Sequence, residues 1–520
     1  MTSSPDHSAL DPSPDASSRR DPLSTAGVER DLHGHSVRGG AIVMLGQGGS
    51  VLLGIVSAAV LARLLDPEDF GLVAMASAFV ALLGEFADLG LSQATIQRRE
   101  VSAAQVNALF WVNAAAGAIA MALGAAAAWP IAIFYGDERL AWIAAALSVG
   151  FLLSGIAAQP LAVLRRRMGF TAETIVTLAS IAMGLVAAIA AALAGLGYWS
   201  LVVQVLVAAA VRMIGLFIAS GWMPGMPARA EGVRGMLRFG GYLSGSNLLA
   251  ALLRASDKVL VGRFVGADAA GLYSNAQKIL LVPATQLNKP LTMVGRPALS
   301  RLQDEPERFR AFYRRGVELV AATSLPAIAW MTIVAEDLVL LVLGREWSGS
   351  VPIFQALAPA ALLGALGVVT SWIYVPLGRT DRQFRWILFQ TIMLVAAMAV
   401  GVRWDAVGVA LAYSGTLLVL RPFAIAWCLK GTFVRWSDVG GAVWRGVVAT
   451  AVAASASIAV MPRVSELPTS PVRLAASLAV FAAAFMLGWI VVPGGLARLH
   501  AMGSMVRHLR PGGAVQRESA

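Results

Sequence analysis

VLARLLDPEDFGLVAMA (Val60–Ala76) and LVGRFVGADAAGLYSNA (Leu260–Ala276) stand 200 residues apart and match at Arg63/Arg263, Gly71/Gly271, Leu72/Leu272 and Ala76/Ala276. Each copy reads as the end of one apolar stretch, a short turn, and the start of the next. Six stretches of membrane-spanning length separate the copies. Six is even, so both copies enter the membrane in the same sense. A repeat of this kind predicts two parallel six-helix lobes, related by an axis along the membrane normal, with a cavity between them.

The rest of the chain fits that frame. Its 520 residues are 58% hydrophobic and 14% charged, where a soluble protein would carry about a quarter charged residues. Apolar stretches long enough to span a bilayer fall at about 40–62, 70–91, 106–130, 140–163, 173–195, 198–220, 238–259, 270–296, 316–342, 350–376, 384–402, 406–429, 441–461 and 472–492. The expected fold is therefore all-α: a polytopic membrane protein of about 14 transmembrane helices. An N-lobe takes residues 37–220 (helices 1–6), a C-lobe 238–430 (helices 7–12), and a further pair (helices 13 and 14) 441–492. Residues 1–36, rich in Ser, Asp and Pro and without an apolar core, read as a disordered cytoplasmic tail and not a cleaved signal. Residues 498–520 read as a second cytoplasmic tail. The eighth stretch is weak in hydropathy, being interrupted by Asn275, Gln277, Lys278, Pro283, Gln286, Lys289 and Pro290. It is retained because without it the charge alternation would invert for the rest of the chain.

That alternation lies in the loops. Arg98/Arg99, Arg165–Arg167, Arg301–Arg315, Arg379/Arg382/Arg385 and Arg498–Arg510 all fall on one side of the membrane. Cationic loops resist translocation, so this side is cytoplasmic and both termini lie there. The net charge of +11 thus reports orientation, and no nucleic-acid partner is expected. Trp199, Trp222, Trp347, Trp404, Trp436 and Trp444 sit near span ends, as in an interfacial belt. Arg301–Arg315 is too charged to span and reads as an amphipathic cytoplasmic helix with an Asp304–Arg308 pair.

Several chemistries are excluded. Cys428 is alone, so no intrachain disulfide or thiolate metal site is available. There is no GxxxxGK[ST] and no HExxH. All five histidines (His7, His33, His35, His500 and His508) lie in the tails. No catalytic residue, metal or cofactor is expected, and the chain is not expected to be an enzyme.

The runs DPEDFGLVAMASAFVALLGEFADLGLSQATIQRRE (Asp66–Glu100) and SDKVLVGRFVGADAAGLYSNAQKILLVPATQLNKPLTMVGRPALSRLQ (Ser256–Gln303) resemble the Wzx-type lipid-linked oligosaccharide flippases, in the lipopolysaccharide biosynthesis branch of the multidrug/oligosaccharidyl-lipid/polysaccharide exporter superfamily. The likeness covers about residues 36–495. It implies two lobes in a V, alternating access, and a polyprenyl-pyrophosphate-linked oligosaccharide as cargo, carried across a bacterial cytoplasmic membrane for exopolysaccharide, capsule or O-antigen synthesis. Membrane lipid, a polymerase and a chain-length regulator are the implied partners.

Ionisable residues inside a bilayer cost at least a few kcal/mol each, so each needs a reason to be there. Lys278 falls about 12 Å down the eighth span, and Arg212 and Arg421 roughly 20–22 Å down the sixth and twelfth, at about 1.5 Å per residue. With Arg254 and Lys289 they form an expected cationic cavity for a pyrophosphate. If the repeat holds, Arg212 and Arg421 face each other across the lobe boundary. Gln204, Asn247, Asn275, Gln277 and Gln286 would line the cavity and meet sugar hydroxyls. Glu85, Asp88 and Asp257 are candidates for weakening the attraction or carrying a coupling proton, while Asp257 also reads as a local ion pair with Lys258 or Arg254. Two other readings compete. An ion-coupled exporter of small cationic molecules fits poorly with an excess of intramembrane cations. A membrane polysaccharide polymerase or ligase fits poorly with short periplasmic loops.

Overall fold

The structure, a computed structural model, describes residues 32–87, 102–226, 255–467, 469–493 and 495. All regular structure among them is helical. The N-terminal half contains α1 (Leu32–Leu61), α2 (Pro67–Ala87), α3 (Ala103–Tyr135), α4 (Arg139–Arg166), α5 (Phe170–Leu193) and α6 (Trp199–Ser220). Residues 255–264 are helical (α7). They are followed by α8 (Ala267–Arg301), α9 (Pro306–Ile333), α10 (Ala335–Val342), α11 (Ser350–Ala365), α12 (Val368–Tyr374), α13 (Thr380–Gly401) and α14 (Asp405–Leu429). A last pair, α15 (Trp436–Ser465) and α16 (Ser470–Val491), completes the chain.

Local chemistry sets the helix ends. Pro67 opens α2 with its fixed φ, and Glu68 and Asp69 in the first turn face the positive end of the helix dipole. Ser102 and Gln105 form a reciprocal capping box on α3, and Gly136, at φ 78°, ends it in the left-handed conformation that glycine adopts without a Cβ penalty. Outside, Ile133, Leu193, Ile218 and Val491 are more than 70% exposed, the apolar surface that lipid covers.

Small residues set how closely the helices approach, since lipid supplies no hydrophobic drive for helix–helix contact. Gly117 and Gly155 bring α3 and α4 together, each against the other helix's backbone. The closest approach joins the two halves. A Cβ on Gly71 would collide with the Ala267 carbonyl, and one on Gly271 with the Pro67 carbonyl. Pro67 and Ala267 are themselves 200 residues apart and open α2 and α8. The two helix starts therefore cross reciprocally, residue i on j and j on i, as a local two-fold requires. Both arginines of the repeat reach into the opposite half. Arg63 Nη2 donates to the Leu341 carbonyl at 3.0 Å, and the Arg263 guanidinium lies 5.7 Å from the Phe134 ring centroid.

The terminal pair packs along α9 and α10. Arg310 joins Asp438 at 2.7 Å, Trp330 Nε1 donates to Ser477 Oγ at 2.9 Å, Gly446 lies against Ala321, and Arg473 joins Asp337 at 2.7 Å. These contacts run from the start of α9 to the start of α10, so the pair rides on the C-terminal half.

Three expectations change, while the described residues cover only part of the expected set of spans. Eleven helical runs among the described residues are long and apolar enough to span, and one of them, Thr380–Leu429, is a hairpin of α13 and α14. The polar α8 is not among the eleven, and most of the expected seventh span lies outside the described residues. The first helix begins at Leu32, so residues 32–36 continue it; residues 1–31 and 498–520 lie outside the described residues. Trp347 and Trp222 are buried, at 0% and 5% exposure, and are not interfacial. Trp347 Nε1 donates to the Ala62 carbonyl at 2.9 Å, and its ring meets Phe70 edge-on at 5.1 Å, so it plugs the crossing between the halves. Finally, Arg308 pairs with Glu305 and not Asp304, because α8 ends at Arg301 and a turn precedes α9; α9 then runs unbroken from the charged stretch into the span.

Candidate functional site

Directly beyond the Gly71/Gly271 crossing lies a cavity of about 430 Å³, walled by α2, α6, α7 and α8. Its residues follow helical spacing: Val73, Ala74, Ser77, Ala78 and Ala81 on α2, Leu201, Gln204 and Val205 on α6, Ala255 and Lys258 on α7, Ser274 and Lys278 on α8. Both halves contribute, and Phe70 forms the end nearest the crossing. Lys278 is eleven residues into α8, about 16 Å from its start at 1.5 Å per residue. The depth exceeds the expected value because the helix starts three residues earlier. In a hydrocarbon core roughly 30 Å thick this is close to the midplane. Lys278 is exposed within this space, and among the described residues neither it nor Lys258 forms an ion pair.

Lys258 was not among the expected site residues, because Asp257 beside it offered a local partner. The structure gives that carboxylate other ligands. Gln277 Nε2 donates to Asp257 Oδ2 at 2.6 Å, and the Lys258 backbone N–H donates to Oδ1 at 2.8 Å. Asp257 is 3% exposed and stands behind the wall, while the Lys258 side chain enters the cavity. Gln277 is thereby turned to Asp257, and Asn275, 1% exposed, is packed away from the lining. Gln204 does line the cavity and donates to Ser57 Oγ at 2.6 Å. The result is two ammonium groups, an amide and two hydroxyls on an otherwise apolar wall. That set attracts an anion and offers it hydrogen bonds.

The other expected cations lie elsewhere. Arg212 lines a second cavity of about 620 Å³, walled by α2, α3, α4, α5 and α6 and therefore inside the N-terminal half. Arg421 packs against the break between α11 and α12, its guanidinium nitrogens 3.6 Å from where a Cβ on Gly367 would sit. The two do not meet across the lobe boundary. Glu85 belongs to α2 and Gln286 and Lys289 to α8, with side chains outside the described set; Asp88, Asn247 and Arg254 lie outside the described residues. No group of three His, Cys, Asp or Glu among the described residues could hold a metal ion.

The polysaccharide biosynthesis protein family matches residues 60–352. The lipopolysaccharide biosynthesis protein WzxC of Escherichia coli (strain K12) is 27% identical over 368 residues, 69% of this chain and 74% of its own length. The succinoglycan biosynthesis transport protein ExoT of Rhizobium meliloti (strain 1021) is 29% identical over 363 residues, 69% and 72% of the two chains. Among solved structures, the lipid II flippase MurJ in an inward closed conformation superposes with a TM-score of 0.68 at 11% identity, covering 86% of this chain and 98% of that one. An inward-facing multidrug resistance transporter of the MATE family gives 0.58 at 14% identity, covering 75% and 97%. At such identities the structural likeness speaks for the fold alone, a multi-pass helical membrane fold. The sequence match extends over more than half of the residues, from the end of α1 into α11, and on that ground the chain belongs to the polysaccharide biosynthesis protein family.

Proposed function

We propose that this protein flips a polyprenyl-pyrophosphate-linked oligosaccharide from the inner to the outer leaflet of a bacterial cytoplasmic membrane, for surface polysaccharide synthesis. The observation that carries the reading is the Lys258–Lys278 pair, two cations without ion-pair partners among the described residues, at mid-depth between the halves. A pyrophosphate supplies the localised negative charge that such a pair attracts. The polyprenyl tail gains nothing from a polar, wet space and stays in lipid. Residues 37–220 and 238–430 act as two lobes about the Gly71/Gly271 crossing, with the α15–α16 pair fixed to the second. Both termini and the arginine-rich ends of α4, α8, α9 and α13 are cytoplasmic, so the crossing lies at the periplasmic end. The conformation described is then closed to the periplasm, and rocking of the lobes exposes the headgroup on that side. Supporting this, two of the relatives bear names for lipopolysaccharide biosynthesis and succinoglycan transport.

The test is export in cells and leaflet assignment of the lipid-linked intermediate. Lys258→Ala and Lys278→Ala together should stop surface polysaccharide production while protein still reaches the membrane, with intermediate accumulating on the cytoplasmic leaflet. Lys278→Arg should retain part of the output. Parental output from the double alanine variant overturns the reading.

A further inference from the structure

The second cavity carries a donor set of its own. Arg212 opens into it and has no ion-pair partner among the described residues. Asn113 on α3 is 4% exposed and lines the same space, and its Nδ2 has no hydrogen-bond partner. Arg165, also on the wall, is already neutralised by Glu173, whose carboxylate accepts from Nη2 at 2.6 Å and Nε at 3.0 Å. The hydroxyls of Thr177 and Ser180 donate to backbone carbonyls within α5. Among the described residues, what remains unspent is the Arg212 guanidinium, the buried Asn113 amide N–H pair and the exposed Ser154 hydroxyl. A buried amide left without an acceptor is unfavourable, whereas Arg212 is exposed to the cavity and free to take a ligand. An oxyanion would satisfy both. Phe151 and Ile181 of the same wall supply apolar surface of the kind that the face of a sugar ring can cover.

Helix α6 joins this space to the first cavity. Gln204 lines one and Arg212 the other, eight residues and about 12 Å apart along the helix axis. That is a short oligosaccharide's reach from the lysine pair. We propose that the N-half cavity is a second anion subsite, in which Arg212 and Asn113 bind an acidic group, a carboxylate or phosphate, carried on the glycan of the cargo. The proposal rests on the flippase reading above and deepens it: the lysine pair holds the linkage, and Arg212 selects glycans that bear charge.

Purified full-length protein in phosphatidylcholine nanodiscs is titrated with trigalacturonate, with neutral maltotriose and with geranyl pyrophosphate, and binding is followed by calorimetry. Trigalacturonate should bind and maltotriose should not. Arg212→Ala should weaken trigalacturonate at least tenfold, Asn113→Asp should weaken it as well, and Arg212→Lys should keep part of the affinity. Lys278→Ala should leave trigalacturonate within twofold and instead weaken geranyl pyrophosphate, which Arg212→Ala should not. Geranyl pyrophosphate binding that ignores Lys278→Ala overturns the flippase site alone; trigalacturonate binding that is absent, or unchanged in Arg212→Ala, overturns the second subsite alone. Two further arms separate other sources of the effect. If phosphatidylglycerol nanodiscs abolish trigalacturonate binding, a bulk lipid phosphate occupies the cavity and the glycan assignment fails. If Glu85→Gln reproduces the Arg212→Ala loss, the arginine serves to neutralise that acid on α2 and the proposal fails.

Discussion

Residues 60–76 and 260–276 lay down the same backbone device, a helix end, a turn and a new helix start that meets its counterpart through Gly71 and Gly271. Just beyond that contact the chemistry diverges. Ala74 and Ala78 of α2 occupy the positions that Ser274 and Lys278 occupy on α8, and all four line one cavity. On the preceding helices Ala58 corresponds to Lys258. The scaffold is duplicated, whereas the charge comes from one copy. Symmetric contacts fix how two halves close, and a closure that repeats in every cycle benefits from identical partners. On the proposed function, a binding site that must also release its cargo does not need the charge twice, since four facing cations would repel one another and overbind a pyrophosphate.

The largest expected effect breaks the symmetric part. Gly71→Ala or Gly271→Ala forces a methyl group against the opposing helix's carbonyl, where no flexible side chain can give way. Overpacking of this kind costs about 1–3 kcal/mol, enough to depopulate the closed arrangement roughly 5- to 150-fold. Export should fall accordingly, while each half, packed through its own helices, keeps its fold. The two variants should behave alike. Cysteine cross-linking between the starts of α2 and α8 would check the closed population, and a Gly271→Ala protein that cross-links at the parental rate would show that the crossing does not limit closure.

The next effect sharpens the asymmetric part. Lys278→Ala should cost an interaction to a charged group of about 1.5–3 kcal/mol, at least tenfold in export. Adding Ala78→Lys to that variant moves the ammonium to the equivalent position on the other wall, and it should return output to within a few-fold of the parent. Failure to rescue, with the protein folded and in the membrane, would mean that the position of the cation matters more than its presence in the cavity.

Much of this was legible in the sequence, for identifiable reasons. The contact between the repeat copies and the depth of Lys278 could be read, because the copies share the glycines that meet in the structure, an apolar span makes a lone charge conspicuous and helical rise converts position into depth. Rise gives height but not direction around the helix axis. Arg212 and Arg421 therefore read as facing partners, although one lines a cavity within its own half and the other backs onto Gly367. Lys258 was hidden by its neighbour: Asp257 looked like its partner until Gln277, twenty residues on and one helix away, was seen to take the carboxylate. Trp347 resembled a belt residue for a similar reason. Position at a span end is local information, whereas burial against Ala62 and Phe70 from the other half is not.

The smallest effect concerns a difference at the helix starts themselves. Glu68, in the first turn of α2, is held by Arg139 Nη2 at 2.7 Å, and Arg139 also grips Asp137 at 2.7 Å; Asp268, the corresponding acid on α8, is exposed and no ion pair to it occurs among the described residues. The Arg139 guanidinium, donating to Asp137 in the turn between α3 and α4, holds that carboxyl below the usual carboxylate range. A carboxyl with a depressed folded value contributes stability that is complete above its unfolded value near 4 and is lost as pH falls through the folded value. The partners are 45%, 51% and 25% exposed, so solvent screening limits each pair to about 0–1 kcal/mol. Arg139→Gln should thus lower the melting temperature only slightly at pH 7, less in high salt, and the difference from the parent should shrink as the pH is taken below 4. Asp268→Asn should change none of these. A pH-independent Arg139→Gln penalty would instead place the arginine's contribution in packing at the start of α4.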